Sequence, residues 1–261
     1  MRSERGFGQA ESGTRKEEAM YNMKGRHSMT RTTVSSLVVA LLLAGVAVAP
    51  RPAVADDAQD AQQLVEKARL TFETFAADKD YEGMLALVKR AKGVLIYPQV
   101  LRGAFIFGVS GGSGAFLARD EKANQWNGPA FYTIGEASFG LQIGGDAAEI
   151  ILVALTDRGV AALLSTSTKL GADASVALGP VGAGASAATA NLSADIVSFA
   201  KSKGLYAGLS VQGAVVATRG GLNKAYYGRE VTPTDVLIKR TVTNPQAAGL
   251  IGAVSKVAGG R

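Results

Sequence analysis

The sequence predicts an α+β fold: an N-terminal helical hairpin packed on a strongly twisted, glycine-rich antiparallel β-sheet or partly closed barrel, with short inserted helices and a C-terminal helix. Three observations carry this expectation. Apolar residues recur at three- and four-residue steps between Ala61 and Ala91. From Gly93 onward the pattern changes to short runs of Val, Ile, Phe and Tyr punctuated by glycine. Near the C-terminus, segment 244–257 returns to helical spacing, with Pro245 suited to a first helical position.

The first fifth of the chain is set apart from this fold. Residues 1–28 are polar and patternless and are read as a non-native or disordered leader, and the nested Met23 and Met29 point to a start downstream of Met1. From Met29 a basic Arg31, an apolar run at 37–49 and the small-x-small step Ala53-Val54-Ala55 spell a secretory signal peptide over 29–55, cleaved after Ala55. Its apolar run makes roughly 20 Å of helix, short of the ~30 Å hydrocarbon layer. The remainder, 56–261, is expected to be a single domain, exported to the periplasm or the cell envelope.

Removing the leader changes the electrostatics. Eight of the 28 basic and four of the 22 acidic residues precede Asp56, so the remainder carries 20 against 18, a net charge of +2. The overall pI near 9.5 is therefore no argument for nucleic acid. The one histidine, His27, leaves with the leader, and there is no cysteine. Disulfides and Cys/His zinc sites are excluded, and no metal or cofactor is expected.

In chain order, Asp56, Asp57 and Asp60 precede an apolar stripe of Ala61, Leu64, Val65, Ala68, Phe72 and Phe75, predicting a helix that ends near Lys79. A shorter helix follows over 81–91, with Lys89 and Arg90 in its last turn. Val94 to Tyr97 read as a strand stopped by Pro98. Further strands are predicted at 104–109, 115–118, 130–134, 138–143, 149–155, 174–178, 206–211 and 214–217, and helices at 158–166, 232–239 and 244–257. The low-complexity stretch 179–190 reads as a loose loop.

The stretch FGVSGGSGAF, 107–116, satisfies the G-x-S-x-G spelling of a hydrolase elbow around Ser110. A serine nucleophile there needs a histidine base, which the processed chain lacks. A phosphate loop would open a helix, whereas Ala115 to Arg119 show no helical start. The stretch is therefore read as a hairpin turn at 110–114. Ser198-Phe199-Ala200-Lys201 spells S-x-x-K without its companion motifs and reads as a polar strand end. Asp146 and Glu149 read as a solvated turn and strand start, Trp126 as a packed aromatic, and Asn223-Lys224-Ala225-Tyr226-Tyr227-Gly228 as a β-turn beside buried rings. No catalytic set remains, and the protein is not expected to be an enzyme.

The ordered segments Ala91-Lys92-Gly93-Val94-Leu95-Ile96-Tyr97-Pro98, Arg102-Gly103-Ala104-Phe105, Gly111 to Gly114 and Gln125-Trp126-Asn127-Gly128-Pro129 resemble the SYLF domain. Phe139-Gly140-Leu141-Gln142-Ile143-Gly144, Ser202-Lys203-Gly204-Leu205-Tyr206 and Asn223 to Gly228 continue the pattern, so the resemblance spans roughly 60–258. The family's Trp-Ser-Pro step is here Trp126-Asn127-Gly128-Pro129, with an insertion. The resemblance implies a lipid-binding module: eukaryotic members bind phosphoinositide membranes and associate with actin, while bacterial members are stand-alone envelope proteins. With an export signal, the expected partner is an anionic phospholipid membrane surface rather than actin. A structural protein of the envelope that binds another, unidentified protein is the alternative.

Peripheral lipid binding needs cations for phosphate and an apolar surface for the headgroup region. The densest basic group of the processed chain is Lys89, Arg90 and Lys92, with Arg102 ten residues on. These four are the expected headgroup contacts, and Phe72 and Phe75 on the preceding helix are the expected apolar membrane contacts.

Overall fold

The computed structural model describes residues 53–104, 107–139, 144–202 and 211–259. The leader and signal segment lie outside these residues except for Ala53, Val54 and Ala55, which open the first helix. Most of the predicted strands 138–143 and 206–211 also lies outside them.

Helix α1 runs Ala53–Ala77 and helix α2 runs Glu82–Val88, joined by a 3-10 turn at Lys79–Tyr81, so the predicted helical hairpin is present. The stripe read from the sequence is the buried one: Ala61, Val65, Ala68, Phe72 and Phe75 face inward. Asp78 caps the connecting turn, its Oδ1 accepting from the Asp80 N–H at 3.1 Å. Its other oxygen receives Lys201 Nζ at 2.7 Å, and the Tyr81 hydroxyl donates to the Ala200 carbonyl at 2.9 Å. The hairpin is thereby tied to the sheet.

The strands are β1 (Gly93–Ala104), β2 (Phe107–Asp120), β3 (Gln125–Phe139), β4 (Gly144–Ala154), β5 (Ser167–Lys169), β6 (Val176–Leu178), β7 (Ile196–Ser202) and β8 (Val215–Thr218). They form one curled half-barrel sheet in the order β5-β8-β3-β2-β1-β4-β7-β6. Every pairing is antiparallel except β6 with β7, which is parallel and corrects the all-antiparallel expectation.

Two sequence readings fail in the long central strands. Pro98 does not stop β1: both of its ladders shift register across Pro98, so the residue without an N–H sits at a bulge and the strand continues. Nor is 110–114 a turn, because it lies inside β2 and pairs with β1 and β3 along its length. Its glycines serve close approach. A Cβ on Gly114 would stand 2.6 Å from Tyr97 Cδ1, and one on Gly112 would collide with the Gln99 carbonyl oxygen.

Alternation along the strands builds two apolar layers. Val94, Ile96, Ala115, Leu117, Phe131, Ile151 and Val153 face α1, α2, α5 (Gly220–Tyr227) and α7 (Ala248–Ala258). Leu95, Tyr97, Phe116, Tyr132, Ile150 and Leu152 line the other face, closed by α3 (Asp157–Leu164), α6 (Pro233–Leu237) and the curled end strands. Trp126 is buried in the first layer, as expected of a packing aromatic. The predicted α6 opens on a capping box between Thr232 and Asp235. The loop at 179–190 holds the one-turn α4 (Ala185–Ala188) and runs into a 3-10 turn at Thr189–Asn191.

Candidate functional site

The predicted lipid-contact residues do not form one surface. Phe72 and Phe75 are fully buried, Phe75 meeting Tyr81 edge to face at 4.5 Å between ring centres. That corrects their assignment as membrane contacts: α1 has one apolar stripe, and the sheet consumes it. Lys89 and Arg90 are exposed at the end of α2, where Arg90 donates to the Thr189 carbonyl at 2.9 Å. Lys92 lies between Asp157 at 2.9 Å and Glu121 at 3.1 Å, and these hydrogen bonds raise its pKa. Its charge is thus already answered. Arg102 pairs in register with Ser110 and Asp146, nine positions along β1 from Gly93. At ~3.3 Å per residue its backbone is about 30 Å along the strand from Gly93, and its side chain lies outside the described residues.

Cations and exposed apolar side chains coincide elsewhere, beside the β1 bulge. Two adjoining pockets of ≈ 330 and ≈ 280 Å³ share Lys67, Pro98 and Gln99, forming a groove between α1 and the sheet. Leu70 borders one pocket and Leu101 the other, 49% and 56% exposed. The bulge is the cause of the second: it moves Val100 onto the inner layer and leaves Leu101 on the helix-bearing face.

Lys67 lines both pockets from α1, and Arg219 lines the second together with Ser113 and Asp60. Neither cation has a carboxylate in ion-pairing distance among the described residues. Arg219 is firmly placed. Its N–H donates to the Phe131 carbonyl at 2.9 Å, its carbonyl accepts from the Asn223 N–H at 3.0 Å, and Nη1 donates to Ser113 Oγ at 2.7 Å. Buried Asn223 completes the frame by accepting the Phe131 N–H at 2.9 Å, just past the end of the β3–β8 ladder at Tyr132. The sequence reading of 223–228 as a β-turn is corrected: Asn223 to Tyr227 belong to α5, which opens on Gly220 and Gly221, residues of low helix propensity that give little helical signal. In the first pocket Glu149 accepts from Thr71 Oγ1 at 3.3 Å.

The described residues bring no catalytic set together. Ser198 and Lys201, three apart on β7, face opposite sides of the sheet, and Lys201 is engaged by Asp78. Ser110 lies within β2, and no group of three or more His, Cys, Asp or Glu could hold a metal among the described residues. The side chain of Asp146 lies outside them. No described helix is long and apolar enough to cross a membrane.

Residues 135–257, from the second half of β3 to α7, match the sequence model of the family described as Ysc84: Las17-binding protein actin regulator. The chain is 34% identical over 170 residues to Protein YSC84 of Saccharomyces cerevisiae, covering 63% of this chain and 36% of that protein. It is 33% identical over 158 residues to yeast LAS seventeen-binding protein 3, covering 59% of this chain and 34% of that one. With SH3 domain-containing YSC84-like protein 1 of Homo sapiens it shares 30% identity over 166 residues, 63% of this chain and 48% of the human protein. The chain thus spans about a third to a half of the length of these relatives.

Proposed function

We propose that the chain, whose residues 135–257 match the Ysc84 family model and which is 30–34% identical to YSC84-like relatives, is a member of this SYLF family and a non-enzymatic module that attaches to anionic phospholipid membrane surfaces. The signal-like segment at 29–55 supports a place of action outside the cytoplasm, in the periplasm or at the envelope. One observation carries the reading: half-exposed Leu70 and Leu101 border the groove that also holds Lys67 and Arg219 without carboxylate partners. An amphiphile is the ligand class that answers both features at once. Half a leucine side chain removed from water contributes about 1 kcal/mol, and a cation near an anionic surface about 1 kcal/mol. Two of each amount to about 4 kcal/mol, the scale of reversible, peripheral attachment.

Flotation of the full chain with phosphatidylcholine vesicles, with and without anionic phospholipid, tests this. Binding is expected to the anionic vesicles, to weaken with salt, and to fall at least tenfold in Leu70→Glu/Leu101→Glu, whose exposed positions tolerate substitution. Absence of binding to every composition overturns it. The names of the relatives, Las17-binding and LAS seventeen-binding, favour a second reading in which the same groove takes a protein segment. Vesicle binding that Leu70→Glu/Leu101→Glu leaves unchanged moves the groove to that second reading.

A further inference from the structure

Resting on the membrane reading, we infer that the groove selects a headgroup bearing a single phosphodiester, gripped by Arg219 and Lys67, over polyphosphorylated headgroups. The charge count is the first reason. Among the described residues, the pocket bordered by Leu101 holds Lys67, Arg219 and Asp60, a net charge of +1, which one phosphodiester anion neutralises. Among the described residues the adjoining pocket offers only the shared Lys67 as a cation and places Glu149 against any additional phosphate. A headgroup with several phosphates would therefore set its extra charge beside Asp60 or Glu149, neither of which has an ion-pairing cation among the described residues.

Geometry is the second reason. Arg219 spends one N–H on Ser113 Oγ at 2.7 Å, leaving further guanidinium donors for the two unesterified oxygens of a phosphodiester. Ser113 Oγ accepts from Arg219, so its own hydroxyl hydrogen can be donated to the same phosphate. Anchored through its backbone at both ends, Arg219 loses little freedom on engaging a ligand. The exposed Leu101 on the rim then meets the acyl region next to the headgroup. Lys89 and Arg90 precede β1, whose first residue Gly93 is about 20 Å along the strand from Gln99, more than the Debye length at physiological salt, and take no part.

The experiment compares full-chain binding to phosphatidylcholine vesicles doped with phosphatidylglycerol or with a polyphosphorylated phosphoinositide, adjusted to equal surface potential. Phosphatidylglycerol vesicles are expected to be bound at least as tightly. Arg219→Lys, which keeps the charge and the backbone hydrogen bonds but loses the fork, is expected to weaken binding about fivefold, the equivalent of about 1 kcal/mol. Ser113→Ala is expected to weaken it in the same direction, whereas Lys89→Ala/Arg90→Ala is expected to leave it within twofold. Preference for the phosphoinositide at equal potential, or wild-type binding by both Arg219→Lys and Ser113→Ala, overturns the inference while leaving membrane attachment in place. Failure to bind either vesicle overturns both.

Discussion

Asn223 shows how one polar side chain can hold a site in place. It is fully buried, and its Oδ1 is the partner of the Phe131 N–H, which the neighbouring strand does not reach. Asn223→Leu strands that N–H in an apolar layer, and a lost partner of this kind costs about 1–3 kcal/mol. Urea denaturation is expected to show that loss, and vesicle binding to fall with it because Arg219 shares the frame. Asp195 plays a similar part at the far side of the sheet. It accepts from Thr156 Oγ1 at 2.6 Å and from the Ser175 hydroxyl and N–H at 2.7 and 2.9 Å, and these bonds hold its pKa down to about 2. A carboxylate with a depressed folded pKa contributes stability above its unfolded value of ~3.9, and the contribution is lost as pH falls toward about 2. Asp195→Asn is expected to be less stable than wild type near neutrality, with the difference narrowing between about pH 4 and pH 2. A constant difference in urea midpoints across that window would contradict the assignment.

At the scale of elements, β1 and β2 carry the clearest departures from sequence expectation. Proline and glycine clusters ordinarily interrupt strands, yet here both are absorbed into strands of 12 and 14 residues. Glycine is tolerated in β2 because neighbouring atoms fill the space a side chain would need. The two kinds of glycine can be separated by substitution. Gly114→Ala drives a methyl group into the Tyr97 ring, whose Cδ1 would be 2.6 Å away, and overpacking of this kind costs about 1–3 kcal/mol. At Gly111 a Cβ would meet only the Ile134 carbonyl oxygen at 3.7 Å, an ordinary contact. Gly111→Ala is therefore expected to be neutral or up to about 1 kcal/mol stabilising by relieving backbone entropy. Equal urea midpoints for the two variants would remove the close-approach account. Helices read more faithfully: α1, α3, α6 and α7 fall where their periodicity and opening residues place them, within a few positions. The missed helix α5, and strand β7, which reads in the sequence only as a polar strand end at 198–201, have concrete causes. Gly220 and Gly221 mask the start of one, and a polar sequence around Lys201 masks the other, whose lysine is drawn inward by Asp78.

For the whole molecule, the decisive feature is that the sheet is covered on both faces. Apolar residues that looked available for a membrane, Phe72 and Phe75 above all, are needed to cover the helix-bearing face. At the groove the exposed apolar contribution comes instead from Leu70 and Leu101, which the sequence presents as ordinary members of a helix and a strand. Their pairing with Lys67 and Arg219 joins positions up to 152 residues apart in the chain. Local periodicity carries no signal for such a meeting. The α+β class, the helical hairpin, the C-terminal helix, the family resemblance and the want of His and Cys after His27 were all determined by residue order alone, because each depends on spacing over a few turns or on composition. Which cations keep an unanswered charge, and which leucines keep their exposure, was decided only in the folded chain, where the Pro98 bulge sets the strand parity and long-range neighbours claim some side chains and leave others to the groove.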